Sequence, residues 1–104
     1  MLRIAFAASE FAPLVKTGGL ADVAAGLTRF LATVEADLRI FLPAYDTLAD
    51  HGQTRHDVES VQDVPIRMGD RELRFSLRSM QVPGCHHPIL LVDCPELFHR
   101  GHLY

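Results

Sequence analysis

The sequence predicts an α/β fold, a parallel sheet carrying a β-hairpin insertion, and three observations point to it. Residues 2–8, 37–42 and 89–92 are short, almost continuously apolar runs, as expected of strands covered on both faces. Between the first two, apolar residues recur at intervals of three and four, the period of an amphipathic helix. Further on, residues 58–68 and 72–82 flank Gly69-Asp70 as the two arms of a hairpin.

Taken in order, residues 2–8 carry one charge, Arg3, and run into the polar, proline-containing stretch 9–13, so they read as a first strand and its loop. From Leu20 the apolar stripe is Leu20, Val23, Ala24, Leu27, Leu31 and Val34, with Asp22, Thr28, Arg29 and Glu35 largely outside it. That stripe is the face expected to meet the core. Gly18 and Gly19 stand just before the helix, and the second strand, 37–42, is stopped by Pro43. Strand, loop, helix and strand within about 42 residues match a right-handed βαβ unit. Residues 44–57 are polar and aperiodic and read as a connection with one helical turn around 47–51. In the hairpin, Leu73, Phe75 and Leu77 alternate with Arg74, Ser76 and Arg78, the pattern of a half-exposed antiparallel strand. Pro83-Gly84 breaks the chain before the last apolar run. Phe6, Phe11 and Phe30 are expected in the core, Tyr45 and Phe98 at its edges, and Arg71, Arg74 and Arg78 on a solvated face.

Length and composition bound the function. One hundred and four residues make one unit, residues 1–104, and 48% hydrophobic against 22% charged residues is a globular mix. Ten Lys and Arg against thirteen Asp and Glu leave a net charge of -3 with no basic stripe, which excludes nucleic acid as a partner. No apolar run is long enough to cross a membrane, and the first residues lack the order of a signal peptide, so a cytoplasmic location is expected. Cys85 and Cys94 read as free thiols of a reducing compartment. Cys85, His86, His87, Cys94, His99 and His102 crowd the C-terminal part without the close Cys pairs of a zinc site, so neither metal nor cofactor is expected. Ser9-Glu10 lacks the glycines of a nucleophile elbow. Nine of the ten cationic side chains are arginine, and the only lysine is Lys16.

Lys16 lies in the most informative stretch, the loop that follows the first strand and opens the helix. In open α/β sheets such a loop sits at the carboxyl ends of the strands, where ligands bind. Gly18 and Gly19 let a ligand approach the backbone, and the helix start adds unpaired N–H groups and a positive dipole end. Lys16 adds a point charge suited to phosphate oxygens. Asp22, in the first helical turn, serves either as an acceptor for sugar hydroxyls or as a complement to the dipole. The spacing is neither G-x-G-x-x-G nor G-x-x-x-x-G-K-[ST], so a glycine pair in a tight turn fits the pattern equally well.

The string ASEFAPLVKTGGLADVAAGL resembles the N-terminal signature of bacterial glycogen synthases and plant starch synthases, S-E-x-x-P-x-x-K-T-G-G-L-x-D-V. LRIFLPAY resembles that family's second strand, and ILLVDCPELFHRGHLY its Asp-x-Pro-x-x-(Phe/Tyr)-x-Arg segment. Residues 46–82 match in strand pattern only. The resemblance implies a partial Rossmann-like sheet, the N-terminal domain of a GT-B architecture. It also implies a retaining glucosyltransferase that moves glucose from ADP-glucose to an α-1,4-glucan. By the same resemblance Lys16 contacts the donor phosphates, Gly19 offers its N–H to them, and Asp22 lies in the donor pocket. Gly18 and Thr17 complete the substrate-binding set, and Glu10 and Thr17 are given no chemistry beyond shaping the loop.

The family's active-site histidine, its diphosphate-stabilising Arg/Lys pair and its C-terminal glutamate have no counterpart here. The chain is therefore expected to be the N-terminal part of such a catalytic domain, inactive alone, with a missing C-terminal segment or a full-length synthase as its protein partner. An alternative is a non-catalytic nucleotide-sugar-binding or interaction module that pairs with a full-length synthase. In either case uncovered apolar surface is expected, and with it self-association or marginal stability.

Overall fold

The computed structural model describes residues 2–48, 53–82 and 85–103. Its elements run β1 (Leu2–Ala7), α1 (Gly19–Leu31), β2 (Ala36–Pro43), β3 (Arg55–Asp57), β4 (Val64–Met68), β5 (Arg71–Met80), β6 (Ile89–Asp93) and α2 (Pro95–Phe98). The sheet follows the order β1-β2-β6-β5-β3, with β4 also paired to β5. β1, β2 and β6 are mutually parallel, in the register Leu2↔Ala36 and Ile40↔Ile89. β5 turns antiparallel against β6 (Met80↔Ile89) and carries β4 and β3 antiparallel along its other edge. The fold is thus a mixed α/β sheet with a parallel three-stranded core and an antiparallel hairpin.

Local sequence explains most of these elements. Pro43, which cannot donate to a ladder, ends β2. Gly69 sits at φ 66° in the β4–β5 turn, a conformation glycine adopts without steric cost. β3 has no apolar period in its sequence, Arg-His-Asp, and is held by main-chain pairing to residues 78–80 of β5. The connection after β2 closes a single turn in which the Leu48 N–H donates to the Tyr45 carbonyl at 3.2 Å; the rest of the expected turn, residues 49–51, lies outside the described residues.

The core fills one face of the parallel strands. Leu38, Ile40 and Leu42 of β2 and Ile89 and Leu91 of β6 are at most 3% exposed. Phe11, Leu14, Val15, Met80 and Val82 join them. α1 meets this face through Ala21, Ala24 and Thr28. Small side chains let the helix approach closely, and the buried Thr28 hydroxyl is satisfied by donating to the carbonyls of Ala24 (2.9 Å) and Ala25 (3.1 Å).

Three expectations change. Leu20, Val23, Leu27 and Val34 do not face the core; together with Phe30, which is 63% exposed, they form a solvent-facing stripe. The large residues dominate the periodicity, but the loop before α1 and the surface of β2 admit only the alanine and threonine face. Ala25, Thr28, Arg29 and Ala32 border a hollow with Val82 and Cys85, and the large stripe lies on the other shoulder of the helix. β1 itself pairs only with β2 among the described residues, and Leu2, Arg3, Ala5 and Ala7 are exposed, so it is an edge strand here and is not covered on both faces. Tyr45, expected at the margin, is buried, packing edge-on against Phe98 with ring centroids 5.8 Å apart.

Candidate functional site

The loop between β1 and α1 leaves the carboxyl end of the parallel strands and is built in two tiers. The lower tier is anchored in the core. Phe11 and Val15 exchange two backbone hydrogen bonds of 3.0 Å, and Phe11, Leu14 and Val15 are all buried. The Ala12 N–H reaches the Ala21 carbonyl of α1 at 3.2 Å, while the Tyr45 hydroxyl donates to the Ser9 carbonyl at 3.0 Å. These bonds tie the loop to the helix and to the end of β2.

The upper tier, residues 16–20, is exposed. Lys16 Nζ lies 2.7 Å from Asp22 Oδ2, a pair spanning the start of α1 with both side chains about half exposed, 51% and 58%. Beneath it Glu10, only 3% exposed, turns its carboxylate up to Thr17: Oε1 accepts the Thr17 N–H and Oε2 the Thr17 hydroxyl, each at 2.7 Å. A carboxylate this buried is tolerable only when such donors replace water.

The glycine pair is informative. Gly18, the N-cap of α1, has φ -171°, an extended conformation open to any residue, and no side chain caps the helix. A Cβ added at Gly18 or at Gly19 meets nothing within 4 Å. Neither backbone angle at Gly18 nor crowding within the chain calls for glycine here, so a tight turn does not account for the pair. The bare backbone faces open space beside Lys16 and the unpaired N–H groups of the helix start, an arrangement suited to an anion that closes on the main chain.

Of the residues singled out from sequence, Lys16, Thr17, Gly18, Gly19 and Asp22 thus fall in one arch over the N-terminus of α1. Sequence reasoning placed Lys16 and Asp22 together without pairing them, and it gave Glu10 no partner. The signal for Glu10 was its place in the Ser-Glu-x-x-Pro string, which implied a role in shaping the loop and named no partner. Elsewhere, Asp93 at the end of β6 takes Arg78 at 3.4 Å and faces His99 at 3.8 Å, and Arg74 pairs with Asp63. Arg71 faces Glu96 at 3.6 Å from the face of β5 opposite to Arg74 and Arg78, so the three do not share one solvated face: Arg71 and Arg74 are exposed, Arg78 is half-buried, and each is ion-paired. Cys85 and Cys94 are free thiols. Among the described residues no group of three or more His, Cys, Asp and Glu is placed to hold a metal, and no helix is long and apolar enough to cross a membrane.

Comparison with known proteins gives a consistent picture. Residues 3–104 match the family described as the starch synthase catalytic domain. The chain is 42% identical over 100 residues to the glycogen synthase of Thioalkalivibrio sulfidiphilus, covering 96% of this chain and 20% of that protein. It is 43% identical over 100 residues to the glycogen synthase of Paramagnetospirillum magneticum, covering 96% and 19%. Among solved structures, the catalytic domain of starch synthase IV from Arabidopsis thaliana, bound to ADP and acarbose, superposes with a TM-score of 0.80 at 27% identity, over 99% of this chain and 21% of that one. The chain therefore spans about a fifth of the length of the relatives it matches.

Proposed function

Because this chain belongs to the starch synthase catalytic domain family, we propose that its loop 9–22 is the diphosphate-binding wall of a glucosyltransferase donor site. The donor is ADP-glucose and the acceptor an α-1,4-glucan, and residues 1–104 are part of the first of two Rossmann domains. The observation that carries this reading is the glycine pair, which the chain's own packing does not require, set between Lys16 and the start of α1. Lys16 contacts the phosphates, the Gly18 and Gly19 backbone admits them closely, and the Gly19 N–H donates to them. Asp22, which pairs with Lys16 at 2.7 Å, takes a place in the same pocket. Thr17 shapes the arch. The starch synthase that shares the fold was captured with ADP and acarbose bound, which supports a nucleoside diphosphate as the ligand class.

Transfer with retention depends on fixed charges that stabilise the departing diphosphate while the acceptor is held in line. The arch supplies one side of such a site. The 104-residue chain alone is therefore expected to bind ADP weakly and to transfer no glucose. Equilibrium dialysis with ADP tests the first point: Lys16→Ala should weaken binding roughly tenfold or more, since charge-assisted contacts exceed neutral ones. Incubation with ADP-glucose and glycogen tests the second. Equal ADP affinity in wild type and Lys16→Ala contradicts the diphosphate reading, and glucan extension above a Lys16→Ala control contradicts the expected inactivity of the chain alone.

A further inference from the structure

We propose that Glu10 is a positioning residue of this site: acting through Thr17, its buried carboxylate holds Lys16 and the start of α1 in the arrangement that meets an anion. The inference rests on the reading of the loop as a diphosphate site, but its structural half stands apart from any ligand.

The geometry forms a chain from core to surface. Ser9 and Phe11, on either side of Glu10, are fixed by the Tyr45 hydroxyl and by the paired bonds to Val15. Glu10 is thereby held at 3% exposure with both oxygens aimed at one residue. Thr17 is exposed, and its hydroxyl makes no other hydrogen bond among the described residues. Two charge-assisted bonds of 2.7 Å to the amide and the hydroxyl of the same residue fix both its backbone and its rotamer. Its neighbours are Lys16 and Gly18, the residue that carries the site's cation and the N-cap of α1. Planar peptide units pass the constraint at residue 17 to the Cα of each. An exposed arch without that clamp would order only on binding, and the ordering of rotamer-rich side chains is a cost that preorganisation removes.

Thr17 gives the cleaner test because it is exposed, so its variants should fold even if changes at the buried Glu10 do not. Thr17→Val removes the hydroxyl donor at nearly constant shape, Thr17→Ser retains it, and Glu10→Gln removes the charge. In the ligand-free chain, backbone ¹⁵N relaxation should show residues 16–18 as ordered as α1 in wild type and Thr17→Ser, and more mobile in Thr17→Val and Glu10→Gln. ADP dialysis should show a loss of roughly tenfold in Thr17→Val, rescue in Thr17→Ser, and no further loss in the Glu10→Gln/Thr17→Val pair; because Thr17→Val takes a donor from the buried Oε2, its melting temperature should fall, and binding is compared well below every variant's transition. Unchanged mobility at residues 16–18 in Thr17→Val overturns the proposal, whether or not ADP binds. ADP binding that depends on Lys16 but is indifferent to Thr17→Val overturns it equally. Wild-type chain that binds no ADP, yet loosens at residues 16–18 in Thr17→Val, refutes the diphosphate reading and leaves Glu10 as the clamp.

Discussion

Lys16 and Ile40 mark the two extremes of what one side chain does in this molecule. The Lys16–Asp22 pair is short, 2.7 Å, but both groups are about half exposed, and pairs in that setting contribute about 0–1 kcal/mol to stability. Ile40, wholly buried at the centre of the parallel strands, loses both transfer energy and packing when truncated, about 2–5 kcal/mol for Ile→Ala. Equilibrium urea unfolding should therefore leave the midpoint of Lys16→Ala near wild type and lower that of Ile40→Ala sharply. A comparable loss in Lys16→Ala would mean that the pair serves the fold and not a ligand. Composition alone isolated Lys16, since a single lysine among nine arginines stands out. For Glu10 the resemblance implied only a role in shaping the loop; its burial and its partner were not legible, because the two bonds run to a residue seven positions away and a buried carboxylate in sequence looks like any other loop acid.

At the level of elements, the parallel strands were legible as short apolar runs, although β1 proved to be an edge strand open on one face, and the β4–β5 hairpin was legible from its alternation about Gly69-Asp70. β3 and α2 were not. Three polar residues join the sheet through backbone bonds to β5, and a four-residue helix leaves no period to read. α1 was found in its place but turned: its large apolar residues face outward, and Ala21, Ala24 and Thr28 meet the core. The helix also carries a correctable weakness. Gly26 lies exposed in its interior, where an added Cβ meets nothing within 4 Å. Gly26→Ala should stabilise the chain by about 0.5–1 kcal/mol, a rise of several degrees in melting temperature for a domain of this size. Gly69→Ala, at φ 66°, should lower it. A fall in Gly26→Ala would show that the exposed shoulder of α1 is already in contact with something.

For the molecule as a whole, Leu20, Val23, Leu27, Phe30 and Val34 form an exposed stripe along α1 and the turn that leads into β2, and Leu2, registered with Ala36 at the start of β2, is itself 66% exposed. The stripe and the edge of β1, which has no second strand partner among the described residues, both present apolar side chains to solvent, with Arg3 the only charge on that strand. Sedimentation velocity over a concentration series should show self-association that the double variant Val23→Glu/Phe30→Glu reduces. A wild-type chain that stays monomeric throughout would count against an accessible stripe. The central claim, that the arch over α1 is a diphosphate site and not only a turn, is tested most directly by titrating the chain with ADP and following backbone amide shifts. The affinity expected of one open wall is weak, on the order of millimolar. The largest shifts should fall at residues 16–20 and vanish in Lys16→Ala; shifts confined elsewhere, or unchanged by Lys16→Ala, would contradict it.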